Sequence, residues 1–218
     1  MSSRQEILST IRANRPKVEK PLPDVPLFDE VWPSALLSVF KQSLERMGGV
    51  FLEASATKDS LQPIRSKIAR AKTVCSVVPE IAGNREIAHV NSPTELADVD
   101  IAIVRAAFAV AETGSVLLGE GDLRVNAVAY LAQHLIVLVD PADILMNLHH
   151  AYRRAEFRFG HYASFHTGPS ATADIEGVLI HGAQGVRSLT VFPLPRAAGA
   201  RPIQREIANL SYEPTTNT

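Results

Sequence analysis

Short apolar runs rich in β-branched residues, separated by segments of helical periodicity, constrain this chain more than any other feature. "VFLEA" (50–54), "TVCSVV" (73–78), "DVDIAIVRA" (98–106), "HLIVLVD" (134–140) and "SLTVFPL" (188–194) are too short for helices. They are apolar on both sides, as strands buried on two faces must be. Between them, Leu36, Leu37, Phe40, Leu44 and Met47 recur at helical spacing, with Ser34 as a plausible N-cap and Gly48-Gly49 as a stop. Leu61, Ile64 and Ile68 mark a second helix interrupted early by Pro63, "VNAVAYLAQ" (125–133) a third, and "PADILMNLHHAYRRAEF" (141–157) a fourth with Pro141 near its first turn. "HYASFHTG" (161–168) reads as a strand, and "AFAVAETGSVLLG" (107–119) as a strand broken by a kink or bulge at Glu112-Thr113-Gly114. The alternation predicts an α/β domain with a largely parallel sheet covered on both faces.

The flanks differ from this body. Residues 3 to 14 predict an amphipathic helix with Ile7, Leu8 and Ile11 on one face and Ser3 and Glu6 at capping-box spacing. Pro16, Pro21, Pro23, Pro26 and Pro33 then forbid regular helix and favour extended backbone. Residues 1–33 therefore read as an arm, lying on the body or a partner or else disordered. Residues 34–195 read as the α/β domain and 196–218 as a loosely held tail. A formal net charge of −1 gives no nucleic-acid footprint. Arg153, Arg154 and Arg158 cluster locally, as a solvated helix face or an anion site. The N-terminus has no stretch apolar enough for a signal peptide or a membrane span, so the expected location is the cytoplasm. Cys75 is the single cysteine, expected buried and structural; one thiol neither forms an internal disulfide nor holds an iron–sulfur cluster.

Two stretches suit the carboxyl ends of strands, where α/β sheets collect ligands. In the first, Gly114 permits close approach or an unusual backbone angle, and Thr113 and Ser115 offer hydroxyls. Glu112, flanked by apolar residues, is the candidate catalytic residue, a general base or nucleophile if buried, or else a carboxylate that pairs with arginine or caps amides. In the second, "HTGPSATADIEGVLIHGAQG" (166–185), Gly168-Pro169-Ser170 reads as a turn. Thr172 reads as the cap of a short helix carrying Asp174 and Glu176 in its first turn, and Val178 to Ile180 as a buried run. Such a turn is either an anion cradle or purely structural. His134 and His166 are candidates to line the same cleft. No histidine pair has metal-ligand spacing, so no metal is expected.

The motifs "AETGSVLL" (111–118) and "GPSATADIEGVLIHGAQGVRSLTVFPL" (168–194), with the N-terminal "ILSTIRAN", resemble lactate-utilization protein C of the LUD domain family. The resemblance implies a three-layer α/β fold of the ribose-phosphate isomerase, glucosamine-phosphate deaminase and CoA-transferase group, related to formyltetrahydrofolate cyclo-ligase. It also implies a part in oxidising L-lactate to pyruvate beside two iron–sulfur partner proteins, with no cluster on this chain and a small anionic metabolite as ligand. That ligand is expected between the Gly168–Ser170 amides and the Thr113 and Ser115 hydroxyls. Two other functions remain open at this stage. One is a stand-alone enzyme of the same fold group acting on a phosphorylated sugar, a CoA thioester or a folate; the other is a non-catalytic scaffold.

Overall fold

The computed structural model describes residues 2–16, 23–28, 35–55, 59–156, 162–174 and 176–197. Its centre is a five-stranded sheet with every pairing parallel, in spatial order β1 (Val50–Phe51), β11 (Ser188–Pro193), β6 (His134–Val139), β3 (Ile101–Arg105), β2 (Val74–Ser76). The predicted apolar runs supply these strands, and successive side chains divide between its two faces. Ile101, Ile103, Ile136, Leu138 and Phe192 bury one face with Ile64 of α3 (Gln62–Ile68). Ala102, Val104, Leu135, Val137, Leu189 and Val191 bury the other.

That second face is covered by Phe40 and Leu44 of α2 (Leu36–Arg46), Leu123 of α4 (Glu120–Leu123), and Val128 and Ala129 of α5 (Val128–Leu131). A smaller sheet joins them, in order β7 (Ile144–Leu145), β4 (Phe108–Val110), β5 (Ser115–Gly119), β8 (Ala163–His166). Its inner residues, Ala109, Val116, Leu118 and Ile144, share the core with the large sheet. Its outer residues, Phe108, Val110 and Leu117, pack under Ala151 of α6 (Leu148–Ala151). The result is a three-layer α/β fold. Cys75 is fully buried, and burial pushes its thiol pKa up, as befits a structural residue.

Four local expectations are corrected. The break at Glu112-Thr113-Gly114 is a hairpin turn: β4 and β5 pair antiparallel across it, with Gly114 at φ +70°. The expected helix over 141–157 divides into a 3₁₀ turn at Pro141–Asp143, then β7, then α6. Asn147 sets the start of α6 by accepting from the His150 amide at 3.1 Å, an N-cap placed inside the run. The helix expected after Thr172 is a hairpin of β9 (Ala171–Thr172) and β10 (Ile180–His181). Beside it, Val178 and Leu179 are each 60% exposed rather than buried. Ser34 and Arg158 lie outside the described residues, and α2 starts after Ala35.

At the N-terminus, α1 (Ser3–Ala13) starts one residue earlier than expected, with Gln5 Oε1 accepting from the Ser2 amide at 3.1 Å. Residues 23–28 lie on the body: Asn147 Nδ2 donates to the Leu27 carbonyl at 2.7 Å, and the Phe28 ring lies 4.7 Å from that of His149. At the other end Arg196 grips the carboxyl ends of the large sheet. Its amide donates to Asp140 Oδ2 at 2.7 Å, and its guanidinium reaches Asp143 at 3.0 Å and the Ala106 carbonyl at 2.7 Å. No helix among the described residues is long and apolar enough to cross a membrane.

Candidate functional site

The two loops expected to meet do meet. Thr113 Oγ1 lies 2.7 Å from Ser115 Oγ, which lies 2.6 Å from Thr167 Oγ1, so one row of hydroxyls joins the β4–β5 turn to the end of β8. The register explains this, because Val116 pairs with His166 and so sets Ser115 opposite Thr167. The meeting place is not at the carboxyl ends of the parallel strands. Gly114 rests on Ser43 and Leu44 of α2, and Gly168 on the Met47 carbonyl, just before β1 begins. Ser170 donates its amide to the Val186 carbonyl at 2.9 Å, just before β11 begins. This is the amino edge of the large sheet.

The glycines are explained by that contact. Both have positive φ, +70° and +71°, and a Cβ would stand 2.3 Å from the Leu44 amide nitrogen at Gly114 and 2.1 Å from the Met47 oxygen at Gly168. They let the two turns seat against main chain of α2 and the residue after it. The supposed anion cradle is correspondingly poor in donors, since Pro169 has no N–H and that of Ser170 is used. Thr172 Oγ1 accepts from the Asp174 amide at 3.3 Å within the hairpin turn, and Asp174 and Glu176 are exposed there, with no helix start to hold a ligand.

Glu112 takes the second of its two expected roles, that of a carboxylate capping amides. Its side chain is exposed, and Oε2 accepts from the Leu148 amide at 3.1 Å, so it caps α6. That is the work of a structural carboxylate rather than a buried base. His134 and His166 are separated by the large sheet. His134 opens β6 on the face shared by Ile136 and bonds Ser188 Oγ at 2.8 Å. His166 lies on the inner face of β8, with Val116, on the far side of the sheet.

His166 belongs to a cluster the sequence reading missed. Tyr162, Ser164 and His166 alternate along one face of β8. The Tyr130 ring from α5 lies 5.1 Å from His166, and the Tyr130 and Tyr162 hydroxyls share a short hydrogen bond. Burial holds the His166 pKa down to about 4, so the imidazole is neutral near pH 7, and burial with the Tyr130 contact pushes Tyr162 up to about 12. The available signal was the period-two run of polar residues in "HYASFH", on a strand whose other face is apolar. A second missed cluster lies at the carboxyl ends, where Arg105 bonds Glu80 Oε1 at 2.5 Å and the Leu194 carbonyl at 2.9 Å. Nearby, Asp122 accepts from the Gly119 amide at 3.0 Å, and burial raises its pKa. Among the described residues no three histidine, cysteine or acidic side chains are placed to hold a metal.

The sequence profile of the LUD domain family matches residues 86–192, a span that runs from before β3 to Phe192 in β11 and includes every expected site residue. Over that span the chain is similar to a LUD domain. The LUD family is associated with lactate utilization. A crystal structure of a DUF162 family protein from Deinococcus radiodurans superposes on this chain with a TM-score of 0.54 at 19% identity. The alignment covers 72% of this chain and 95% of that one, which shows a shared fold. No curated protein matches the sequence.

Proposed function

We propose that this protein is an accessory or substrate-binding subunit of a cytoplasmic iron–sulfur complex that oxidises L-lactate to pyruvate. The LUD match over residues 86–192 carries the reading. Cluster chemistry is assigned to partner proteins because a cluster takes about four ligands, mostly cysteines, and this sequence has one, held in the core. The ligand in this reading is a small anionic metabolite, the 2-hydroxy acid or its 2-oxo product. The exposed capping role of Glu112 weighs against the CoA-transferase-like alternative, in which that carboxylate would attack a thioester.

The test is reconstitution. The chain is co-purified with the cysteine-rich proteins encoded beside it, and lactate-dependent dye reduction is measured with and without it. The reading expects the rate to collapse when this chain is left out. An unchanged rate rejects it, and turnover by the purified chain alone replaces it with the stand-alone enzyme.

A further inference from the structure

On β5, the residues that face the same way as His166 are Val116 and Leu118, both fully buried. A strand that only closed this core would carry apolar side chains at 164 and 166 as well. Instead β8 presents a phenol, a hydroxyl and an imidazole at alternate positions, and α5 adds a second phenol. The three hydroxyls satisfy one another: Tyr130 bonds Tyr162, and Tyr162 bonds Ser164. The imidazole is different. Nε2 of His166 is shut off from solvent and has no hydrogen-bond partner among the described residues. A buried polar group left in that condition is destabilising, a cost that a phenylalanine or leucine would not carry.

The cluster is also not sealed. Tyr130 is 41% exposed in the short helix α5, and its ring lies 5.1 Å from the imidazole. Burial keeps the imidazole neutral, with no charged neighbour contributing, and a neutral imidazole suits an uncharged oxygen as partner. We propose that Tyr130, Tyr162, Ser164 and His166 form a binding site for a small ligand presenting a hydroxyl or carbonyl oxygen on a short apolar frame. The imidazole is the hydrogen-bond partner of that oxygen, and the Tyr130 ring is the wall on the solvent side. Short 2-hydroxy and 2-oxo acids, hydroxyketones and diols belong to this class, with any carboxylate left toward Tyr130 and water. The inference goes beyond the complex proposed above, since the site would stand if the chain served another substrate of this class.

The experiment follows the histidine ring nitrogens of the full chain by NMR during titration with L-lactate, pyruvate, hydroxyacetone and, as control, acetate. The His166 signal is assigned by its absence in His166→Gln. The expected result is a saturable shift of His166 with at least one of the first three probes and none with acetate. Affinity should fall about tenfold in His166→Gln, the worth of one hydrogen bond. No shift with any probe, or an equal shift with acetate, overturns the proposal. Should His166→Gln fail to fold, Tyr130→Ala, which removes the ring wall at a 41% exposed position, serves instead, and affinity equal to the wild type then overturns it. A response to hydroxyacetone without one to L-lactate keeps this site and removes lactate as its ligand. Lactate-dependent dye reduction by the complex with no shift at His166 rejects this site and keeps the complex.

Discussion

Three glycine substitutions separate the two reasons a glycine can be required, and together they test whether the site loops are built to seat on α2 or to receive a ligand. Gly121 has ordinary φ and open space around a hypothetical Cβ; Gly177 has φ +70° and open space; Gly114 has φ +70° and main chain of α2 at 2.3–2.6 Å. Gly121→Ala should be neutral or slightly stabilising, by about 0.4–1 kcal/mol, through the unfolded state. Gly177→Ala should cost about 1–2 kcal/mol, the left-handed backbone penalty by itself. Gly114→Ala adds overpacking against atoms that cannot rotate away, about 1–3 kcal/mol more, for a total of roughly 2–5 kcal/mol. At roughly 2–4 °C per kcal/mol for a chain of this size, its melting temperature should fall by about 4–20 °C. Differential scanning fluorimetry on the three variants reads this directly. A Gly114→Ala protein that melts within about 2 °C of wild type refutes the close-approach argument and returns the glycine to the ligand-facing role.

Further tests address single groups. Thr190 is fully buried in β11 with no partner for its hydroxyl among the described residues; Thr190→Val should raise stability by about 1 kcal/mol, measured by urea unfolding. His166 titrates near 4 when folded against about 6.5 in a free chain. Between those values the unfolded chain takes up a proton the folded one refuses. Stability should therefore drop by roughly 2–3 kcal/mol as pH falls from about 6.5 to about 4, and His166→Gln should flatten that part of the unfolding-versus-pH curve; an identical slope contradicts the burial of the imidazole. Glu112→Ala should cost about 0.5–1 kcal/mol, as the loss of a cap does, and leave lactate-dependent dye reduction by the reconstituted complex intact. Complete loss of that activity in a folded variant restores Glu112 as a catalytic candidate.

The layered fold was legible because its determinants are local. Ile101 to Arg105, His134 to Val139 and Ser188 to Pro193 are apolar on both sides, and only a strand between two cores satisfies that pattern. The hairpins were less legible because kink and turn share one local signature. Glu112-Thr113-Gly114 breaks an apolar run in either case, and only the pairing of Val110 with Ser115 distinguishes them. Thr172 followed by acidic residues looks like a helix cap until β10 pairs back across the turn. Asn147 and His150 did carry a start signal for α6, masked by the apolar periodicity around them.

The site was half legible. Small hydroxyl residues around glycine pointed to the two loops that do meet. Their grouping with His134 and His166 failed because side-chain alternation, counted outward from each core, sends these residues to different layers. Glu112 seemed costly because its neighbours are apolar, yet a turn residue stands clear of the surface its neighbours bury.

Arg196 fixes where a shortened form of this protein must stop. Its backbone and guanidinium tie the ends of β3 and β6 together from beyond the final strand. A fragment trimmed at the last residue of β11 would leave Asp140 Oδ2 without the amide that donates to it and Asp143 without its cation. The smallest well-behaved unit for crystallisation or binding work therefore extends past the sheet by this one side chain.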